Sequence, residues 1–195
     1  MKLWNIFILS FLGISTSSNV FSNIQQLRLD PGFKISIFAS DLDQPRQMIE
    51  SKNGTIFIGE RSGQIIALLD SDGNGKADSK RVIADDLTYS TGVSIFEGDL
   101  YFSEISKIWK IQDIENWLQK NSSGFPEKIL VTEDLPEDKW HGWKWLQHNA
   151  EGDIYTNVGA PCNNCISENP QYASIIRLSD DNWEYVARGV RNSVG

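Results

Sequence analysis

Three segments of this 195-residue chain repeat one pattern, and a fourth begins near its end. The first runs from Asp41-Leu42 through Pro45-Arg46-Gln47-Met48 to Gly54-Thr55-Ile56-Phe57-Ile58. The second runs from Asp86-Leu87 through Thr91-Gly92-Val93 to Gly98-Asp99-Leu100-Tyr101-Phe102. The third joins Asp134-Leu135, His141-Gly142-Trp143 and Gly152-Asp153-Ile154-Tyr155. The anchoring leucines lie 45 and 48 positions apart, and Gly189-Val190 renews the pattern. A period of this size, carried by short alternating apolar segments, predicts the four-stranded blades of an all-β propeller. Such folds place their ligands at one mouth of the ring, so the repeat also says where functional residues should stand.

Each unit supplies four strands. In the first blade these are Gln47 to Ser51, Thr55 to Glu60, Gln64 to Leu69 and Lys80 to Ala84, with Asn53-Gly54 marking a hairpin turn. Outer strands are expected at Lys128 to Thr132 and Glu184 to Ala187. Tyr, Phe, Ile, Val and Trp dominate these runs because they suit a pleated, half-buried surface. The best helical segment, Asp113 to Lys120, is short and reads as an excursion between strands. Phe33 to Ala39 alternates like an outer strand whose own blade is missing, and Arg191 to Gly195 reads as the start of a new inner strand. Residues 23–195 are therefore expected to form about three blades plus the start of a fourth, the N-terminal part of a longer protein.

Lys2 followed by an apolar run from Leu3 to Ile14, with small residues up to Ser22, reads as a signal peptide over residues 1–22. The run is too short to span ~30 Å of hydrocarbon comfortably. A periplasmic or secreted protein is expected, without a membrane span once the leader is removed. The net charge of −8 argues against nucleic acid or an anionic membrane as partner, since both require positive patches. Cys162 and Cys165, in Pro161-Cys162-Asn163-Asn164-Cys165, fit a local disulfide in an oxidising compartment. Ile166 stands where c-type haem attachment would require His, and zinc would require a second pair of ligands.

Two segments carry candidate chemistry of their own. Asp70-Ser71-Asp72-Gly73-Asn74-Gly75-Lys76-Ala77-Asp78 spaces oxygen-bearing side chains on a glycine-bent loop as the first half of an EF-hand does. Arg81 stands where the bidentate Glu would be, so the loop reads either as a solvated turn or as a calcium loop with Asp70, Asp72, Asn74 and Asp78 as ligands. His141-Gly142-Trp143-Lys144-Trp145 opens the third blade. A histidine on an inner strand at the mouth is suited to general-base work near neutrality. His148 reads as a surface residue, and seven positions from His141 it makes a poor metal partner. Arg191-Asn192 enters at the equivalent place in the next unit and offers a guanidinium fork and a carboxamide to an anionic ligand.

The run Pro31-Gly32-Phe33-Lys34-Ile35, then Pro45-Arg46, Asp70 to Asp78, His141-Gly142-Trp143-Lys144, Val158 to Cys165 and Arg188 to Gly195 resembles the sorbosone dehydrogenase branch of the soluble quinoprotein glucose/sorbosone dehydrogenases. That resemblance implies a six-bladed propeller holding pyrroloquinoline quinone, with calcium, in its central mouth. It implies oxidation of a sugar or related alcohol or aldehyde by hydride transfer to the quinone, with an external electron acceptor. His141 matches the family's base, and Arg191 and Asn192 match residues that contact the cofactor. The resemblance also implies a third cofactor contact at Thr91, where Ser90-Thr91-Gly92 replaces the usual Pro-Asn-Gly and offers a hydroxyl in place of the amide. Ala160 replaces the acid that stands beside the histidine in the glucose-oxidising branch. Because further cofactor ligands are expected beyond Gly195, residues 1–195 alone are expected to be inactive. Two other classes remain open at this point: a non-catalytic propeller that binds a partner or sugar, and a lactonase-like propeller with a central metal.

Overall fold

The computed structural model of the chain describes residues 27–180 and 182–194. The expected signal peptide, residues 1–22, lies outside the described residues. Residues Leu27–Ser36 belong to one compact unit and Ile37–Val194 to another. In the first, Phe33 N–H closes a turn on the carbonyl of Asp30 at 3.2 Å.

The second unit consists of three antiparallel four-stranded sheets. The first contains β1 (Pro45–Glu50), β2 (Ile56–Glu60), β3 (Gln64–Leu69) and β4 (Ser79–Ala84). The second contains β5 (Val93–Phe96), β6 (Asp99–Ser103), β7 (Ile108–Ile111) and β8 (Ile129–Thr132), with the short helix α1 (Ile114–Gln119) between its last two strands. The third contains β9 (Leu146–His148), β10 (Ile154–Val158), β11 (Ser174–Ser179) and β12 (Asn182–Arg188). In every sheet the strands are ordered as in the chain. These are propeller blades.

Repeated local devices account for the repeated shape. Gly54, Gly98 and Gly152 have φ of 84°, 91° and 95° in the turn between the first two strands of each blade, backbone that only glycine adopts without strain. The outer strand pairs shift register at Ile65/Ile66, Ile108/Trp109 and Ile175/Ile176. Such irregularities add twist at a constant place in each blade. Between the first two blades Phe57, Ile65, Leu100, Phe102 and Ile111 form one core, to which α1 contributes Ile114 and Leu118 from successive turns. Between the second and third blades Ile108, Leu135, Leu146, Ile154 and Ile176 form another. Burying an aromatic such as Phe57 or Phe102 contributes about 1.5–3 kcal/mol each, so face-to-face blade packing is what the strand sequences chiefly encode.

Three strand expectations require correction. Phe33 to Ala39 forms no strand: alternation cannot make one without a partner ladder, and Ala77 N–H, donating to the carbonyl of Phe38 at 2.8 Å, is a single bond and not a ladder. Phe38 and Ala39 instead pack on Ile58, Ile66 and Leu68. Arg191–Val194 is likewise not in a strand. His141 precedes the inner strand instead of lying on it, in a turn with φ of 50° closed by Gly142 N–H on the carbonyl of Lys139. The Asn157 side chain takes over the ladder there, accepting from Trp145 N–H at 2.7 Å and donating to the carbonyl of Trp143 at 2.9 Å.

Candidate functional site

The inner strands meet through one side chain. Gln47, 3% exposed on β1, donates through Nε2 to the carbonyl of Leu146 at 2.7 Å. Its Oε1 accepts from the backbone N–H groups of Leu146 at 2.9 Å and of Val93 at 3.1 Å. Its own backbone N–H reaches the carbonyl of Thr91 at 3.3 Å. One carboxamide thus ties three blades together where they converge. The sequence marks Gln47 only as the start of an inner strand; a polar residue between Arg46 and the apolar Met48-Ile49 was the available signal for a buried tie.

The loops that carry His141 and Arg191 meet at the end of β10, where the sequence reading expects the mouth. Val158 ends β10, and Gly159-Ala160 then runs between the loops carrying His141 and Arg191. A Cβ on Gly159 would stand 2.3 Å from the carbonyl oxygen of His141 and 3.1 Å from that of Arg191. Only a residue without a side chain permits this approach. Ala160 N–H donates to the carbonyl of Arg191 at 2.8 Å, and its own carbonyl lies 2.8 Å from Nδ1 of His141. A carbonyl can only accept, so Nδ1 carries the hydrogen and Nε2 presents its lone pair in the neutral ring. Trp140 packs edge-on against the half-buried imidazole, its ring centroid 5.4 Å away.

The predicted residues are not all placed alike. His141 and Arg191 share the Gly159-Ala160 support, but the guanidinium of Arg191 turns to the side chain of Asn163 in the loop closed by the Cys162–Cys165 disulfide. Asn192 has a buried Oδ1 without a hydrogen-bond partner. Thr91 is buried, with its hydroxyl donating to the carbonyl of Lys144 at 3.0 Å. Asp70, Asp72 and Asp78 bring carboxylate oxygens within 4.8 Å of one another on the β3–β4 loop, at the opposite end of the first blade from Arg46. Asn74 turns its amide nitrogen, not its oxygen, toward Asp72, at 2.8 Å. Backbone N–H groups of Gly75 and Asn74 hold the carboxyl of Asp70 below its ordinary pKa.

His148 is not the surface residue its sequence context implies. It sits half-buried between the second and third blades, stacked on Phe96 with centroids 5.4 Å apart and tilted on Tyr101 at 4.4 Å. Nδ1 pairs with the Ser94 hydroxyl at 2.9 Å, and burial pushes its pKa down to about 4. Lys144, unassigned from sequence, is 2% exposed; its ammonium donates to the carbonyl of Gly142 at 2.6 Å, and burial pushes its pKa down to about 7.

No family model matches the chain. An uncharacterized protein of Borreliella burgdorferi is 26% identical over 98% of this chain and 53% of its own length. Among solved structures, the holo form of the pyranose dehydrogenase PQQ domain from Coprinopsis cinerea superposes with a TM-score of 0.72 at 17% identity, covering 86% of this chain and 44% of that one. The calcium structure of a Trichoderma reesei carbohydrate-active enzyme of family AA12 gives 0.62 at 16% identity, covering 81% and 44%. The chain therefore spans about half the length of the proteins it matches. At these identities the likeness establishes the propeller fold. Among the described residues no helix is long and apolar enough to cross a membrane.

Proposed function

We propose that this chain supplies part of the active mouth of a quinoprotein that oxidises a sugar or related alcohol or aldehyde hydrate. The observation that supports this reading is the His141–Ala160 contact, which orients the imidazole through Nδ1 and so assigns the base role to Nε2. When bound, pyrroloquinoline quinone supplies the two-electron acceptor for hydride leaving the substrate carbon. His141 takes the proton of the substrate hydroxyl at Nε2, while the Ala160 carbonyl keeps the ring oriented and stabilises the imidazolium.

The residues present fit such a group. Among the described residues the Oδ1 of Asn192 is a buried acceptor without a partner, suited to a ring N–H of the group, and the spare donors of the buried Lys144 suit its carboxylates. A tricarboxylated quinone would be held by Arg191, Asn192 and the Thr91–Lys144 edge. Calcium would take the carboxylates of Asp70, Asp72 and Asp78, joined by Asn74 after rotation of its amide. Export as a periplasmic or secreted protein completes the reading, with an external electron acceptor.

The test is reconstitution of the complete protein with pyrroloquinoline quinone and calcium, followed by dye reduction over a panel of sugars. Turnover that collapses in His141→Ala supports the assignment; turnover unchanged in that variant removes it.

A further inference from the structure

Around Trp143 the molecule gathers positive charge that no acid answers. The guanidinium carbons of Arg46 and Arg61 lie 4.5 Å and 4.7 Å from the centroid of its ring. Arg61 also lies 5.1 Å from the ring of Tyr89, which Lys139 approaches at 5.7 Å. The ion pairs among the described residues are formed by Lys107, Lys110 and Arg177, and involve none of these cations. Glu60 is the buried acid next to Arg61, yet its carboxylate accepts from Asp43 N–H at 2.9 Å and from the Ser62 hydroxyl at 3.4 Å. Indole faces attract cations but cannot neutralise them. In a chain of net charge −8, acids were plentiful, so their absence here has a local meaning.

Arg46, Thr91, Trp143, Lys144 and Val194 line one cavity of about 220 Å³. Trp143 carries the exposed guanidinium fork of Arg46 on its ring, no side chain among the described residues hydrogen-bonds that fork, and Lys144 brings a buried amine with one of its donors used. A planar anion answers both. It accepts two parallel hydrogen bonds from the fork that Trp143 holds by stacking, and it accepts from the Lys144 amine while favouring its protonated form. We propose that this cavity is a carboxylate site in which Arg46 and Lys144 are the cationic contacts and Trp143 is the platform.

Two sources carry that chemistry: a carboxylate of the quinone, or the acid group of a uronic or aldonic sugar. The first rests on the quinoprotein reading, and the second stands without it. The purified protein and its Arg46→Gln and Lys144→Met variants are titrated with pyrroloquinoline quinone, with glucuronate and with uncharged glucose, followed by calorimetry and tryptophan fluorescence. The site predicts that a carboxylate ligand quenches the tryptophan emission and that both variants weaken its binding at least about tenfold. Glucose affinity, where measurable, stays the same across all three proteins. Arg46→Gln changes an exposed side chain and Lys144→Met removes a buried charge, so melting temperatures stay level or rise.

The arms separate the sources. Weakening confined to the quinone assigns the site to the cofactor, and weakening confined to glucuronate assigns it to an acidic substrate. Quinone bound with unchanged affinity by both variants, with no effect on glucuronate, overturns the carboxylate site and leaves the quinoprotein reading standing. Glucuronate binding that depends on both cations in a protein that does not take up the quinone does the reverse. Failure of both carboxylates to bind overturns the site.

Discussion

The two histidines of this chain lie seven residues apart and occupy opposite chemical worlds. His148 is enclosed between blades, stacked on Phe96, touching Tyr101 and paired with a hydroxyl, with its pKa pushed down to about 4. Its role is to fill and align a seam as a neutral ring. His141 stands in a turn outside the ladder, with one nitrogen tied to a carbonyl and the other unspent. The difference lies in what each neighbouring blade presents: apolar faces at the seam, bare backbone at the mouth. Burial alone does not suit a histidine to base chemistry; a ring oriented through one nitrogen is what the proposed role of His141 requires.

The largest effect expected from this contrast is on turnover. In the reconstituted protein, His141→Ala should lower kcat by about 10²- to 10⁴-fold, the usual worth of a positioned general base. His148→Ala should leave kcat within a few-fold and lower the melting temperature instead. Equal kinetic losses in both variants, measured by dye reduction at saturating substrate, would erase the distinction between mouth and seam.

Gln47 joins the two regions and sharpens the contrast in stability. Gln47→Ala would strand the N–H groups of Val93 and Leu146 and the carbonyl of Leu146. With each unsatisfied buried group costing about 1–3 kcal/mol, a loss of about 3 kcal/mol is expected. That corresponds to a fall of roughly 10 °C in melting temperature. A calorimetric shift under ~2 °C would show that water replaces the carboxamide and that the blades hold together without it.

What the sequence made legible follows the same division. The repeat, the hairpin glycines and the four strands per blade were readable because alternation and turn chemistry act within a few residues. His141 was readable as a candidate through its motif, but its position in a turn was not. The displacement depends on Asn157 substituting for ladder bonds, a contact made across the blade. His148 was misread because the polar Gln147, Asn149 and Glu151 around it suggest surface, while Phe96 and Tyr101 reach it from the preceding blade. Arg46 and Lys144 went unassigned for a like reason: their shared cavity is assembled from four segments of chain.

The seam also makes an acid-dependent prediction. With the folded pKa of His148 near 4 and the ordinary value at 6.5, the unfolded chain binds the proton more readily. Its contribution to stability is fully present above pH 6.5 and falls as pH drops through 6.5 toward 4, because unfolding takes up a proton across that window. The ring is only half-buried, so the loss is discounted to about 1–2 kcal/mol. Denaturant unfolding at pH 7 and pH 4.5 should show it, and His148→Phe should flatten it. An undiminished slope in that variant would assign the acid sensitivity to other groups.

The smallest effect is expected far from both histidines, on the β3–β4 loop. Asp70, Asp72 and Asp78 already satisfy much of their charge through backbone N–H groups, so the loop keeps its shape without an ion and calcium adds only its binding free energy. At a calcium concentration ten times Kd that is about 1.4 kcal/mol, or roughly 3–5 °C in melting temperature. Chelator should reverse the rise, and Asp72→Ala should abolish it while leaving the acid slope of His148 intact, since the two lie on different blades. A calcium response that survives Asp72→Ala would move the ion to another site, the mouth being the first to examine. Its sensitivity to Lys144→Met would then decide, because removing a buried ammonium from the mouth should strengthen cation binding there and do nothing at the distant loop.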